Sequence, residues 1–330
     1  MTPLRFFVCC LGVAVLIPAL RALGDEPLPP GWSEHAIPHD GEERWYRVYE
    51  PADLPVDAAV VVVLHGGMGS MRKIGRPDSP GTGAWPDLCA REGALLVVPN
   101  AMARQGVASD GDRQNWNDIR EDGPGSKADD VGFLETLVGH VHAKYETDPA
   151  RTFVTGGSNG GMMTFRVLVE RPGLFAAGAA FVATLPEESR HVAVPEAPTP
   201  LMICNGTDDP LIKWDGGPIL PGSSDQRSTA ETVAWWVDAN RAWADLAEVT
   251  PLADVDHDDG CRITLTKYPA GAGGAPVWLY EVTGGGHCMP SAEFRVRDGF
   301  LMRRMIGTQC RDAEGVELAW AFFERATAIE

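Results

Sequence analysis

Gly156-Gly157-Ser158-Asn159-Gly160 is the segment best suited to chemistry. A serine with glycines two residues away on each side fits a strained strand-to-helix turn, where flanking side chains would clash. The β-rich stretch Thr152-Phe153-Val154-Thr155 leads in, and a helical stretch from Met162 leads out. A glycine-rich phosphate loop is the competing reading, but the phosphate-loop lysine and the G-x-G-x-x-G spacing are both missing. A serine hydroxyl is a weak nucleophile. It needs a base, and the base needs an orienting carboxylate. In turns of this kind the chain order is serine, acid, histidine. His287 satisfies that order: it follows Gly284-Gly285-Gly286, just after a strand-like run at 277–282. His191 precedes the acid loop, and His257 lies in the acidic stretch 254–259 and reads as solvated. The acid belongs after the buried run 201–204, in Asn205-Gly206-Thr207-Asp208-Asp209-Pro210. Spacing does not choose between Asp208 and Asp209.

Acyl transfer through such a serine also needs backbone N–H groups fixed in advance to hold the oxyanion. Asn159, next after the nucleophile, offers one. The turn His65-Gly66-Gly67-Met68, after a buried run at 58–64, offers the other, with Gly67 first and Met68 next. The implied reaction is two-step acyl transfer: Ser158 attacks, His287 acts as base, and a later water releases the acyl group. No metal and no organic cofactor is expected. The Asp254-to-Asp259 stretch fails as a calcium loop, with Asp259 where glycine is needed and Leu265 where glutamate is needed.

These residues must be positioned by a scaffold. Buried β-type runs at 58–64, 94–98, 152–155, 179–183, 201–204, 263–268 and 277–282 alternate with helical stretches at 85–92, 129–145, 159–170, 229–246 and 314–326. Strands alternating with helices imply an α/β fold, a mostly parallel sheet covered on both faces. Asp129 or Asp130 caps the second helix, with Val131, Leu134, Val138, Val141 and Tyr145 on one face. Residues 25–41 read as an extended lead-in, and 44–49 as a half-exposed strand. Residues 101–128 are a long aperiodic loop holding Asn115-Trp116-Asn117-Asp118.

The chain has 330 residues, 44% hydrophobic and 22% charged, enough for a real core. Residues 1–24 differ from the rest: Arg5, an apolar run from Phe6 to Ile17, then Ala22-Leu23-Gly24. That is the pattern of a cleaved signal peptide. A retained anchor is the competing reading, though nothing after Gly24 resembles a stop-transfer segment. The expectation is therefore a secreted or periplasmic protein, with residues 25–330 as one catalytic domain and no membrane association after cleavage. Net charge is −18, and cleavage removes Arg5 and Arg21 but no acid. So acidic a surface excludes nucleic acid and anionic membranes as partners. Cys89, Cys204, Cys261, Cys288 and Cys310 remain, with no C-x-x-C pair and hence no structural zinc site. Cys204 reads as a core residue, and the last three are better placed to pair. Nothing in the sequence sets an oligomeric state.

Taken together, several segments resemble the poly(3-hydroxybutyrate) depolymerase-like esterases, a group that includes feruloyl esterases. They are Leu64-His65-Gly66-Gly67, Trp116-Asn117-Asp118, Asp129 to Leu134, Asp148 to Met163, Gly206-Thr207-Asp208-Asp209, Trp235-Trp236, Asp258-Asp259-Gly260 and Gly284-Gly285-Gly286-His287. The resemblance covers roughly residues 40–325, in family order. It implies a single α/β-hydrolase domain, and it places the acid on Asp209, the last residue of G-T-x-D. The implied substrates are hydroxyalkanoate oligomers, or feruloyl or acetyl esters of polysaccharide. A serine peptidase on the same fold and a non-catalytic binding protein are the rival readings. Asn205 stands where the family has histidine, and Cys288-Met289-Pro290-Ser291 stands for Thr-Trp-Pro-Gly. Trp116, His65 and Met289 are the candidate pocket residues; Trp116 reads equally as a side chain pinning a long loop to the core. Cys288, beside the base, suggests a disulfide to Cys310 or Cys261.

Overall fold

Alternate residues of the central strands face two different cores. Val60, Val62 and Leu64 join one core with Leu95, Val97, Val154, Leu201 and Ile203. Val61 and Val63 join the other with Leu96, Val98, Phe153, Met202 and Cys204. This is period-two geometry in a sheet buried on both sides, which is why those runs read as continuously apolar. The computed structural model describes residues 27–103, 111–123, 125–296 and 299–328. The expected leader, residues 1–24, lies outside the described residues.

The first half of the chain supplies β1 (Trp32–His39), β2 (Glu42–Tyr49), β3 (Val60–Leu64), α1 (Trp85–Glu92), β4 (Leu95–Pro99) and α2 (Asp130–Tyr145). The elbow region follows as β5 (Thr152–Gly157), α3 (Asn159–Glu170), β6 (Ala177–Phe181) and β7 (Leu201–Gly206). A two-stranded ribbon of β8 (Gly217–Pro218) and β9 (Asp225–Gln226) precedes α4 (Thr229–Ala239). The chain ends with β10 (Glu248–Pro251), β11 (Arg262–Tyr268), β12 (Val277–Thr283), α5 (Phe300–Ile306) and α6 (Gly315–Thr327). Gly31–Glu330 forms one compact unit.

The main sheet runs β1-β2-β4-β3-β5-β6-β7-β12-β11-β10. Pairing is parallel from β4 through β12 and antiparallel at both ends. Residues of α2, α3 and α4 fill one core, and residues of α1 and α6 fill the other. This is the α/β-hydrolase fold. Its topology sets the carboxyl ends of β3, β5, β7 and β12 along one edge of the sheet, so the four loops that carry the candidate chemistry share that edge.

Besides β8, β9 and β10, which the sequence reading did not include, β1, α4 and α5 depart from it. The lead-in contains β1, joined to β2 by Asp40 and Gly41, which both take positive φ (50° and 79°). Asp-Gly is a two-residue hairpin signal. The fourth helix stops at Ala239 rather than 246, because Asn240 caps it and Arg241 turns left-handed at φ 52°. Residues 300–306 form α5, which leaves Phe300 80% exposed.

The elbow needs its glycines because α3 starts against the end of β3. A Cβ on Gly160 would sit 2.4 Å from the Leu64 carbonyl oxygen and 2.7 Å from that of His65. Gly139, within α2, has open space around its Cβ position. We therefore expect opposite signs from two Gly→Ala variants in urea unfolding. Gly139→Ala should stabilise by about 0.4–1 kcal/mol. Gly160→Ala should destabilise by about 1–3 kcal/mol or more. Equal effects would disprove this account of the packing.

Candidate active site

Ser158 sits between β5 and α3 at φ 56°, ψ −121°. An L-residue holds such a conformation when its surroundings over-determine it. Here its N–H donates to the Phe181 carbonyl at 2.9 Å, and its own carbonyl accepts from Met162 at 2.9 Å. Asn159 is the first residue of α3, where backbone N–H groups have no intrahelical acceptor.

The acid and base loops are tied directly together. Asp208 N–H donates to the Gly285 carbonyl at 2.9 Å, and Gly284 N–H donates to Thr207 Oγ1 at 2.8 Å. A third segment backs them: Gly286 N–H donates to the Thr308 carbonyl at 2.7 Å, and His287 N–H to that of Ile306 at 2.5 Å. A Cβ on Gly286 would lie 2.2 Å from the Ile306 oxygen, so this junction requires glycine. His287 Nδ1 meets Asp209 Oδ2 at 2.7 Å. The other oxygen of Asp209 accepts the N–H groups of Leu211 (2.8 Å) and Ile212 (2.9 Å). Asp208 is exposed and accepts from Thr207 Oγ1, so geometry selects Asp209 for this position. An acceptor carboxylate on Nδ1 puts the ring proton there and leaves Nε2 able to receive one. Among the described residues, no hydrogen bond joins Ser158 Oγ to His287; such contacts are often looser before substrate binds.

The glycine turn after β3 faces the elbow. A Cβ on Gly66 would lie 3.9 Å from Ser158 Cβ, and one on Gly67 would lie 3.5 Å from Asn159 Cβ. Met68 N–H, the second candidate donor, is already donated to Asn115 Oδ1 at 3.1 Å. That corrects the expectation for Met68. Gly67 N–H donates to no described residue and remains the matching partner for Asn159 N–H.

Of the three pocket candidates, His65 and Trp116 are buried and Met289 is half-buried. His65 is 1% exposed, with Nδ1 on the Gly66 carbonyl (2.8 Å) and Nε2 accepting from Ala101 N–H (3.2 Å). Trp116 is fully buried against the His65 ring and donates Nε1–H to the His65 carbonyl at 2.9 Å. It is the loop pin rather than a pocket wall. Met289 is half-buried, its Cε 3.2 Å from the Cβ position of Gly315, and it packs into the α1–α6 core. Cys288 has no thiol partner. Its sulfur lies 4.0 Å from the Ile306 carbonyl, and burial, followed by the Asp209 charge, pushes its pKa up to about 12.

Sequence reasoning noticed the cluster Asn115-Trp116-Asn117-Asp118 without assigning its work. Trp116 N–H donates to Asn159 Oδ1 (2.8 Å), while Asn159 Nδ2 donates to Asp118 Oδ2 (2.5 Å) and to the Trp116 carbonyl (3.1 Å). The cluster thus grips the side chain of Asn159 and, through Asn115, the Met68 turn. Asp118 is balanced by Arg120 at 2.5 Å. Asp130 is fully buried, receives Asn117 N–H at 2.7 Å and pairs with Arg44. Asn205, where the family has histidine, is buried and bonds both the N–H and the carbonyl of Ala183 at 3.0 Å. It locks β7 to the chain beyond β6.

Two outcomes follow. Asn115→Ala frees the Met68 turn beside the oxyanion position, so kcat for an activated ester should fall about 10- to 100-fold with little change in KM. An unchanged kcat would remove Asn115 from this role. Burial also pushes the His65 imidazole down to about 4, against 6.5 when unfolded. The unfolded chain then takes up a proton that the folded chain refuses. Stability is full above pH 6.5 and declines as pH falls toward 4, by up to about 3 kcal/mol from this group. Burial lowers His142 and His191 in the same sense. In urea titrations, His65→Gln should therefore lose less stability than the parent between pH 6.5 and 4; parallel curves would contradict this.

A family model described as the prolyl oligopeptidase family matches residues 87–186, the stretch that carries the elbow. The chain is similar to the putative esterase NocK of Nocardia uniformis subsp. tsuyamanensis, 30% identical over 271 residues, spanning 78% of this chain and 74% of that one. Feruloyl esterase B of Neurospora crassa is 30% identical over 133 residues, covering 40% of this chain and 41% of its own. In three dimensions the acetyl xylan esterase from Aspergillus awamori superposes with a TM-score of 0.50 at 18% identity, covering 78% of this chain and 95% of that one. With the fold in place, and with NocK matched at this identity over most of both chains, the chain belongs to the esterase family of α/β-hydrolases that has feruloyl-esterase-like relatives.

Proposed function

We propose that this carboxylic-ester hydrolase works by two-step acyl transfer through Ser158. The observation that carries the reading is the strained serine at φ 56°, flanked by Gly67 and Asn159, on the same sheet edge as a bonded Asp209–His287 pair. Ser158 Oγ attacks the ester carbonyl and passes its proton to His287 Nε2. Asp209 holds the ring and stabilises its charge. The N–H groups of Asn159 and Gly67 receive the oxyanion, and His287 returns the proton to the leaving alcohol. Water then repeats the sequence on the acyl-enzyme. No metal or organic cofactor takes part in these steps.

For substrate we favour feruloyl or acetyl esters of polysaccharide over hydroxyalkanoate oligomers. The names of the relatives support this, as does the exposed apolar surface of α5 (Phe300, Leu301, Met305), whose last residue, Ile306, accepts the His287 N–H. The acidic charge and the leader-like first 24 residues support a secreted or periplasmic site of action. The match to the prolyl oligopeptidase family favours a second reading, a serine peptidase using the same residues.

One assay panel separates these readings: p-nitrophenyl acetate, a feruloyl ester, an acetylated sugar, a 3-hydroxybutyrate oligomer and a peptide anilide. We expect the esters to turn over faster than the anilide. Ser158→Ala should lower that turnover by at least about 10⁴-fold. Activity that survives Ser158→Ala overturns the nucleophile, and a preference for the anilide establishes the peptidase reading.

A further inference from the structure

We propose that Cys261 and Cys310 are joined by a disulfide that braces the His287 loop against the sheet. Cys261 immediately precedes β11, and Cys310 ends the segment that backs His287. Both are buried, at 0% and 2% exposure, and their sulfurs lie within 4.8 Å of each other and of an Asp259 oxygen. Their backbones are already held side by side. Asp259 receives Cys261 N–H on one oxygen and Arg311 N–H on the other, each at 2.7 Å. Asp312 receives Val255 N–H (2.7 Å) and Asp256 N–H (3.0 Å) across the same junction. Two sulfurs this near, on backbone stretches tied together by Asp259 and Asp312, are placed for pairing.

The same three ligand atoms invite a metal, and the surroundings argue against one. Both oxygens of Asp259 are already taken by N–H groups, and the Arg311 guanidinium stands 3.9 Å away. The Cys310 thiol donates a hydrogen bond to Cys261, which together with burial holds it far above its usual pKa. Metal ligation needs the thiolate. Pairing belongs to the folding stage, while the thiols are open. Each gives up a proton and, between them, two electrons to a disulfide oxidant, which leaves as two thiols.

The bond would matter because the 306–310 segment carries the His287 loop. It accepts the N–H groups of Gly286 and His287, and Cys310 accepts that of Ser291 at 2.9 Å. Linking Cys310 to Cys261 closes a loop of about 50 residues around the base. It also leaves Cys288 as a thiol beside the base.

The pairing presupposes the exported location proposed above, yet its test does not. The full chain is reduced, equilibrated in oxidised and reduced glutathione, then denatured, its thiols alkylated, and digested. We expect alkylation at Cys89, Cys204 and Cys288, as at Cys9 and Cys10 wherever the leader is retained, and a single cross-linked peptide pair carrying Cys261 and Cys310. Reductant should lower the Tm of the oxidised protein by about 5–10 °C. Cys310→Ser should melt near the reduced parent and ignore reductant. Alkylation of Cys261 and Cys310, a link to Cys288, or a stoichiometric zinc ion whose removal lowers the Tm would each overturn the proposal. Leader cleavage near Asp25 in the host is read separately, so failure of the export reading stays distinguishable.

Discussion

The site depends on how closely the start of α3 packs against the end of β3. With 2.4 Å between a notional methyl on Gly160 and the Leu64 carbonyl, no side chain larger than hydrogen fits there. That contact fixes the distance between two backbone turns, one at Gly66–Gly67 and one at Ser158–Asn159. An oxyanion hole is a fixed distance between two N–H groups, so the packing and the chemistry are one constraint. The strained φ of Ser158 follows from it: the serine must leave β5 and enter α3 within one residue.

A second layer holds that geometry without touching substrate. Residues 115–118 reach both turns at once, gripping the Asn159 side chain through Trp116 and Asp118, and Met68 N–H through Asn115. The layer is polar and deeply buried. Its carboxylates are satisfied: Asp118 by Arg120 and Asn159, Asp130 by Arg44 and Asn117 N–H. Buried polar networks of this kind favour a single arrangement, since any other leaves a charge or an N–H unpaired. On the far side of the site, the loops after β7 and β12 and the stretch 306–308 are bonded backbone to backbone, and Asp209 meets His287 where they join.

Much of this was legible in the sequence, for local reasons. The buried runs at 58–64 and 152–155 announce central strands because both of their faces must be apolar. The glycines at 156 and 160 announce a turn with no room for side chains. Serine, acid and histidine stand in the required order. The direction of the pocket candidates was less legible. His65, Trp116 and Met289 were judged by their neighbours in sequence, yet His65 and Trp116 turn into the interior and Met289 is half-buried against one core. Direction depends on which core a turn faces, and that is settled by elements far along the chain. β1 was missed although its Asp-Gly turn was visible, and α5 has no buried face to give it a helical period.

The sequence alone determined the alternation of strands and helices, the elbow around Ser158, the candidate base at His287 and a two-way choice of candidate acid. These are short-range matters of side-chain size, backbone freedom and hydrophobic period. Tertiary structure decided between Asp208 and Asp209, because one carboxylate reaches the imidazole and the other faces solvent. It decided between Gly67 and Met68, because Asn115 had already claimed one N–H. It also set Cys310 beside Cys261, 49 residues away, because Asp259 and Asp312 bring those two stretches together, the juxtaposition on which the proposed pairing rests. In each case the deciding contact joins residues far apart in the chain, and spacing along a sequence carries no information about distance across a fold.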